Sequence, residues 1–355
     1  DVYKRQLKTM MSILNKNSIF LIIIILMSSF AFIYVNSTNI EPASEDQTRF
    51  ISFGDSPHVP EGEVENYLKM LIDSINDHNS SLIIHIGDTL GGREACTDSM
   101  ILLHLKLMNR LDAPVLYTPG DNEWRDCYQE KKGVMYDNLE RLDYIRNTHF
   151  SNNKTLGKNP IFVENFSENG YPENARIILN NIAFITAHLV GSNNNYDPTN
   201  LRNTNEYYER DLANIEWIKE SFKNYDKANA FVVAIHADMY SNGLSISSEY
   251  KNFAMALYSL SNEFKKPVLI LYGDSHKFKD FKPMPKKYPY IHAINNYGNP
   301  DIKALMIEVD PYNKEPFKVI KVIKGESLKT WLFRNFQRTI NYLDRVFQRI
   351  HAYFK

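Results

Sequence analysis

Residues 82–89 read LIIHIGDT, a strand-like run that stops abruptly at Gly87-Asp88. The same punctuation recurs four more times. Arg49–Gly54 runs into Gly54-Asp55-Ser56-Pro57-His58, and Val115–Thr118 into Gly120-Asp121-Asn122-Glu123. Phe231–Ile235 runs into His236-Ala237-Asp238, and Val268–Tyr272 into Gly273-Asp274-Ser275-His276. Between the first three runs, Val64, Tyr67, Leu68, Leu71, Ile72 and Ile75, and then Met100, Leu103, Leu107 and Leu111, repeat at helical spacing. Strand, helix, strand, helix, strand with short connections predicts a parallel α/β core. Ligands bind at the carboxyl ends of such strands, so the five polar bursts are expected to meet in one crevice.

Further along, Ala175–Val190 holds two apolar runs around Asn180-Asn181, which predicts a tight hairpin. Helices are expected near 204–225 and 247–265, and terminal strands over 289–325. No repeat is visible.

Carboxylates gathered without cations would repel one another. Divalent metal ions are the simplest remedy, and Asp, Asn and His are suitable ligand types. A single Gly-Asp after a strand is often only a helix cap. Five such bursts in this order and context point to a metal site.

The order D-x-H, GD, GNH[DE], strand-end H and GHxH, met over roughly 49–325, resembles the calcineurin-like metallophosphoesterase superfamily. The match is strongest at Gly87-Asp88, His236 and Gly273 to His276. It looks closest to a bacterial subgroup with a GDNEW-x-DC signature, here Gly120 to Cys127, and a GD-S/T-H last motif. The resemblance implies a four-layer α/β/β/α sandwich, a single catalytic domain with terminal helices. It implies two divalent metal ions (Mn, Fe, Zn or Ca) and hydrolysis of a phosphoester substrate by a metal-bridging hydroxide. In that scheme Asp55, Asp88 and His276 hold one metal. Asp88, Asn122 or Asp121, His236 and Asp274 hold the other, with Asp88 bridging.

This chain departs from the family pattern in three places. Pro57 stands where D-x-H has its His, with His58 one position late. Asp274 replaces the first His of GHxH, and Gly-Asp-Asn-Glu places Asp121 at the ligand Asn and Asn122 at the catalytic His. Asn cannot donate a proton as an imidazolium does, so His58 or Glu123 are the expected leaving-group acids. His188 and Ser192, Asn193 and Asn194 are expected in a loop facing the substrate or supporting the ligands, or else in an ordinary turn. The runner-up function is a metal- or anion-binding protein of the same fold without turnover.

The chain has 355 residues, 43% of them hydrophobic, which suits a large core. Two cysteines exclude a disulfide-dense scaffold. The net charge of −1 carries no nucleic-acid-binding signal. That average hides a split: +3 over 1–35, +5 over 328–355 and −9 between. Residues 19–35 (IFLIIIILMSSFAFIYV) are uncharged and follow a basic stretch, so 1–36 is expected to be a signal peptide or a retained membrane anchor. A polar linker follows at 37–48, then the domain at 49–325. In an exported protein Cys96 and Cys127 are expected to pair, with two free buried thiols as the alternative. Over 326–355, Leu332, Phe336, Ile340, Leu343, Phe347, Ile350 and Phe354 form the stripe of a basic amphipathic helix. Such a helix suits an anionic membrane surface or docking onto protein.

Overall fold

The computed structural model describes residues 47–55, 61–130, 133–240, 243, 245–300 and 302–325. The apolar segment 1–36, the linker up to residue 46, His58 and the basic segment 326–355 lie outside the described residues. Among the described residues, no helix is long and apolar enough to cross a membrane.

The chain alternates β1 (Thr48–Phe53), α1 (Glu61–Asn76), β2 (Leu82–His85), α2 (Asp98–Met108) and β3 (Val115–Tyr117). It continues through α3 (Asn138–His149), β4 (Glu164–Phe166), β5 (Tyr171–Leu179), β6 (Ile182–Thr186), α4 (Leu201–Asn224), β7 (Ala230–Ala234), α5 (Ser248–Phe264) and β8 (Val268–Tyr272). The last strands are β9 (Lys279–Phe281), β10 (Ile291–Asn295), β11 (Lys303–Val309) and β12 (Phe317–Lys324).

Among the described residues these strands form two sheets, ordered β12-β11-β1-β2-β3 and β4-β5-β6-β7-β8-β10-β9. The expected parallel core is present in each: β1, β2 and β3 run parallel, as do β6, β7, β8 and β10. Antiparallel strands flank both, so each sheet is mixed. The hairpin at Asn180-Asn181 joins β5 to β6, and both turn residues have positive φ (48° and 59°), which Asn tolerates.

The layers follow from side-chain alternation. On β7, Val232 points inward between the sheets, where it packs with Phe50, Ile84, Leu116, Phe184 and Leu269. Its neighbours Phe231 and Val233 point outward onto Trp217, Ile218 and Phe222 of α4 and Leu257 and Tyr258 of α5. Phe50 and Phe184 meet edge to face across the two sheets, 5.3 Å between centroids. On the far side α1 buries Val64, Leu71 and Ile75 and lies against β11 and β12. The result is an α/β/β/α sandwich. The helices expected at 204–225 and 247–265 differ from α4 and α5 only at their ends. Helix α3 was not expected: its apolar residues are sparse, and the Asp137 side chain caps it by accepting from the backbone N–H groups of Leu139 and Glu140.

Candidate metal centre

The parallel strands of both sheets end on the same residues that the sequence marks. After β1 comes Asp55, after β2 Asp88, after β3 Asp121, after β7 His236 and after β8 Asp274. Backbone bonds tie these ends together. The Asp55 N–H donates to the Gly87 carbonyl (3.0 Å), the Asp274 N–H to Asp55 Oδ1 (3.0 Å) and the Gly273 N–H to the His236 carbonyl (2.9 Å). Gly120 is required by this closeness, because a Cβ there would lie 2.2 Å from Asp88 Oδ1. Asp55, Asp88, Asp274 and His276 all adopt left-handed φ values of 52° to 68°. Strain of about 1–2 kcal/mol per residue is the usual cost of that conformation. All four are among the expected ligands.

His236 stands at the centre, with no exposed surface. Its Nδ1 lies 2.8 Å from the Ile86 carbonyl, which can only accept, so Nδ1 carries a proton. Nε2 is thereby aimed at Asp121 Oδ1 (3.1 Å) and Asp88 Oδ1 (3.3 Å). Burial opposes charge on this imidazole, but Asp88, Asp121 and Asp55 outweigh it and raise the His236 pKa well above its ordinary value. Burial pushes Asp55 up to about 7, against the charge of His236, and Asp88 well above the carboxylate range. Asp274 is pushed up to about 6, again chiefly by burial. Asp121 goes the other way: burial is overcome by the hydrogen bond and charge of His236 and by the Ser192 hydroxyl.

These residues fit divalent cations. Asp55, Asp88 and His236 form one group whose ligand atoms lie within 4.8 Å of one another, and Asp121, His236 and Asp274 form a second. Asp55 Oδ2 is buried without a hydrogen-bond partner, and an ionised carboxylate left so is costly. A nitrogen and oxygen donor set suits Mn, Fe or Zn better than Ca, which prefers oxygen alone.

The remaining expected residues are placed as follows. Asn122 binds Asp88 twice, through its backbone N–H to Oδ1 (3.1 Å) and its amide to Oδ2 (2.6 Å). Glu123 Oε1 accepts from the Tyr117 hydroxyl (2.8 Å), the Gly120 N–H (2.8 Å) and the Thr89 N–H (3.4 Å). One carboxylate therefore ties the loop after β2 to the loop after β3. His276 is half-buried outside both three-residue groups, its Nδ1 3.1 Å from the Asn299 carbonyl. Its ring still lies beside Asp55, since Gly298 packs on both. His188 is fully buried, with Nδ1 2.8 Å from Glu173 Oε1, in a network beneath the turn 191–195. In that turn Ser192 is half-buried, Asn193 exposed and Asn194 buried.

Cys96 and Cys127 form a disulfide, and no free cysteine remains among the described residues. It joins the segment after Asp88 to the short helix Arg125–Tyr128 after Asp121. Trp124 packs in the same cluster, against the His188 ring at 5.4 Å.

Arg210 escaped the sequence reading, although a signal was present. It falls on the buried face of α4 with Tyr207, Asn214 and Trp217, an unusual place for a guanidinium. There it donates to the His188 carbonyl (2.7 Å) and to Asn194 Oδ1 (2.7 Å) and pairs with Glu206.

No family model and no curated protein matches the sequence. Among solved structures the chain is similar to PhoD, at 12% identity and a TM-score of 0.45, over 76% of this chain and 65% of that one. It is similar to a purple acid phosphatase from yellow lupin (Lupinus luteus) seeds, at 12% identity and a TM-score of 0.43, over 82% and 56%. It is also similar to the anchor in the inner membrane complex of Plasmodium, at 14% identity and a TM-score of 0.41, over 78% and 88%. The match spans less than two thirds of PhoD and of the lupin enzyme.

Proposed function

We propose that this chain is an exported, metal-dependent phosphoesterase of the calcineurin-like kind. The observation that carries the reading is the pair of ligand groups sharing His236 at the carboxyl ends of both sheets. Asp55, Asp88, Asp121, His236 and Asp274 would hold two divalent ions, with His276 beside Asp55 and Asn122 beside Asp88. When bound, such ions neutralise phosphate oxygens and lower the pKa of water.

The chain's own groups do the rest. Nδ1–H of His236 is fixed by the Ile86 carbonyl, which keeps Nε2 aimed at the site. Asn122 orients Asp88 with two hydrogen bonds. Glu123 is committed to three donors and acts as a tie between loops. Asn122 has no titratable group, so in this proposal His58 protonates the leaving group. Export is supported by the apolar segment 19–35 and by the disulfide, which forms in oxidising compartments. The basic amphipathic segment 326–355 would hold the protein on an anionic membrane surface, and deleting it would weaken liposome binding.

Asn122 at the position of the usual catalytic His favours a second reading, metal binding without turnover. Both are tested by one experiment on the full chain: metal content by mass spectrometry, and hydrolysis of a phosphoester panel with Mn, Fe or Zn. Metal with turnover, both lost in Asp88→Asn and His236→Ala, supports the enzyme. Metal without turnover supports the second reading, and no bound metal refutes both.

A further inference from the structure

We propose that Ser192 is a positioning residue for Asp121, and that the left-handed turn Ser192–Asn195 serves to bring its hydroxyl there. The inference rests on the metal-centre reading above. Four successive non-glycine residues, Ser192, Asn193, Asn194 and Asn195, have φ of 50°, 58°, 54° and 66°. Asn tolerates this region; Ser has less reason to occupy it. Such a run persists only where its surroundings over-determine it, and here they do. Arg210, fully buried, donates to the His188 carbonyl, to Asn194 Oδ1 and to the Asn194 carbonyl (2.9 Å). The Asn195 amide donates to Glu206 (2.8 Å), and its oxygen accepts from Asn138 (3.3 Å).

All of this holding presses the turn against the site. A Cβ on Gly191 would lie 2.6 Å from Asp274 Oδ1 and 2.8 Å from Asp121 Oδ2, so the backbone itself touches both carboxylates. The Ser192 hydroxyl donates to Asp121 Oδ2 at 2.6 Å. Asp121 Oδ1 faces His236 Nε2 at 3.1 Å. With one oxygen pinned, the carboxylate cannot swing, and Oδ1 stays on the side of the imidazole. The neighbours show the same division of labour. Asp55 Oδ1 accepts from the Asp274 N–H while its Oδ2 has no partner, and Asp274 Oδ2 accepts from the Asp238 N–H (3.3 Å). At Asp121 the donor is a side-chain hydroxyl, so it can be removed.

Ser192→Gly removes the hydroxyl and leaves a residue at ease with positive φ. Ser192→Ala removes it while keeping the Cβ. The full chain is titrated with Mn2+ by calorimetry, and the metal-free protein is melted. Both variants are expected to bind Mn2+ about 10- to 100-fold more weakly than the wild type, as for lost partners of metal ligands. The metal-free Tm of Ser192→Gly should be unchanged or higher. A purely structural role predicts the opposite pattern for Ser192→Gly: wild-type Kd. That result overturns the inference and leaves the metal centre standing. A wild-type chain that takes up no Mn2+ overturns the metal-centre reading, and this inference with it.

Discussion

Glu123 is the residue whose replacement separates a structural tie from a proton donor. Its Oε1 accepts from Tyr117, Gly120 and Thr89, and its Oε2 is buried without a partner. Glu123→Ala strands two close buried donors and one longer one. Each unsatisfied buried donor costs roughly 1–3 kcal/mol, so the loss should be about 4 kcal/mol. For a domain of this size that corresponds to a Tm lower by roughly 7 °C. Glu123→Gln keeps the accepting oxygen in place and puts its amide where the unpartnered Oε2 lies. Its cost should be about 1 kcal/mol or less. The assay is thermal melting of both variants beside the rate of phosphoester hydrolysis. The tie predicts a large drop for Ala, a small one for Gln, and near wild-type turnover for Gln. A Gln variant that melts normally yet loses about 100-fold or more in kcat would make Glu123 the acid and refute the reasoning.

Two further outcomes follow from the same geometry. Asp55, raised to about 7, holds a proton in the metal-free protein that a cation must displace, so metal affinity should fall as pH drops below that value. From Asp55 alone the Mn2+ Kd should be about 15-fold weaker at pH 5.5 than at pH 7, and equal Kd values would contradict the assignment. Replacing both Cys96 and Cys127 by Ser opens a loop of 31 residues and should cost about 3–4 kcal/mol in a denaturant titration; a loss below roughly 1 kcal/mol would show that the bridge does not hold these two loops.

The five strand ends were legible because each pairs a short apolar run with a Gly-Asp or His stop, a purely local signal. The same holds for the Asn180-Asn181 hairpin and for α4 and α5, whose periodicity is long. What could not be read is where polar groups find partners across the chain. His188 looks like a loop histidine, but Glu173 of β5 and Arg146 of α3 bury it in a pair that no local pattern announces. The left-handed turn at 192–195 depends on Arg210 from the middle of α4. Strands β4 and β9, three residues each, lack the length for a period. Asp121 and Asn122 stood as alternatives for one ligand position. Asp121 faces His236, and Asn122 donates to Asp88.

The central claim is that the strand ends of the two sheets meet at a metal centre around His236. Anomalous X-ray diffraction from crystals of the full chain soaked in Mn2+ tests it most directly. Anomalous density is expected among Asp55, Asp88, Asp121, His236 and Asp274, with His236 in contact through Nε2. Manganese elsewhere on the protein, with none at His236, would contradict it.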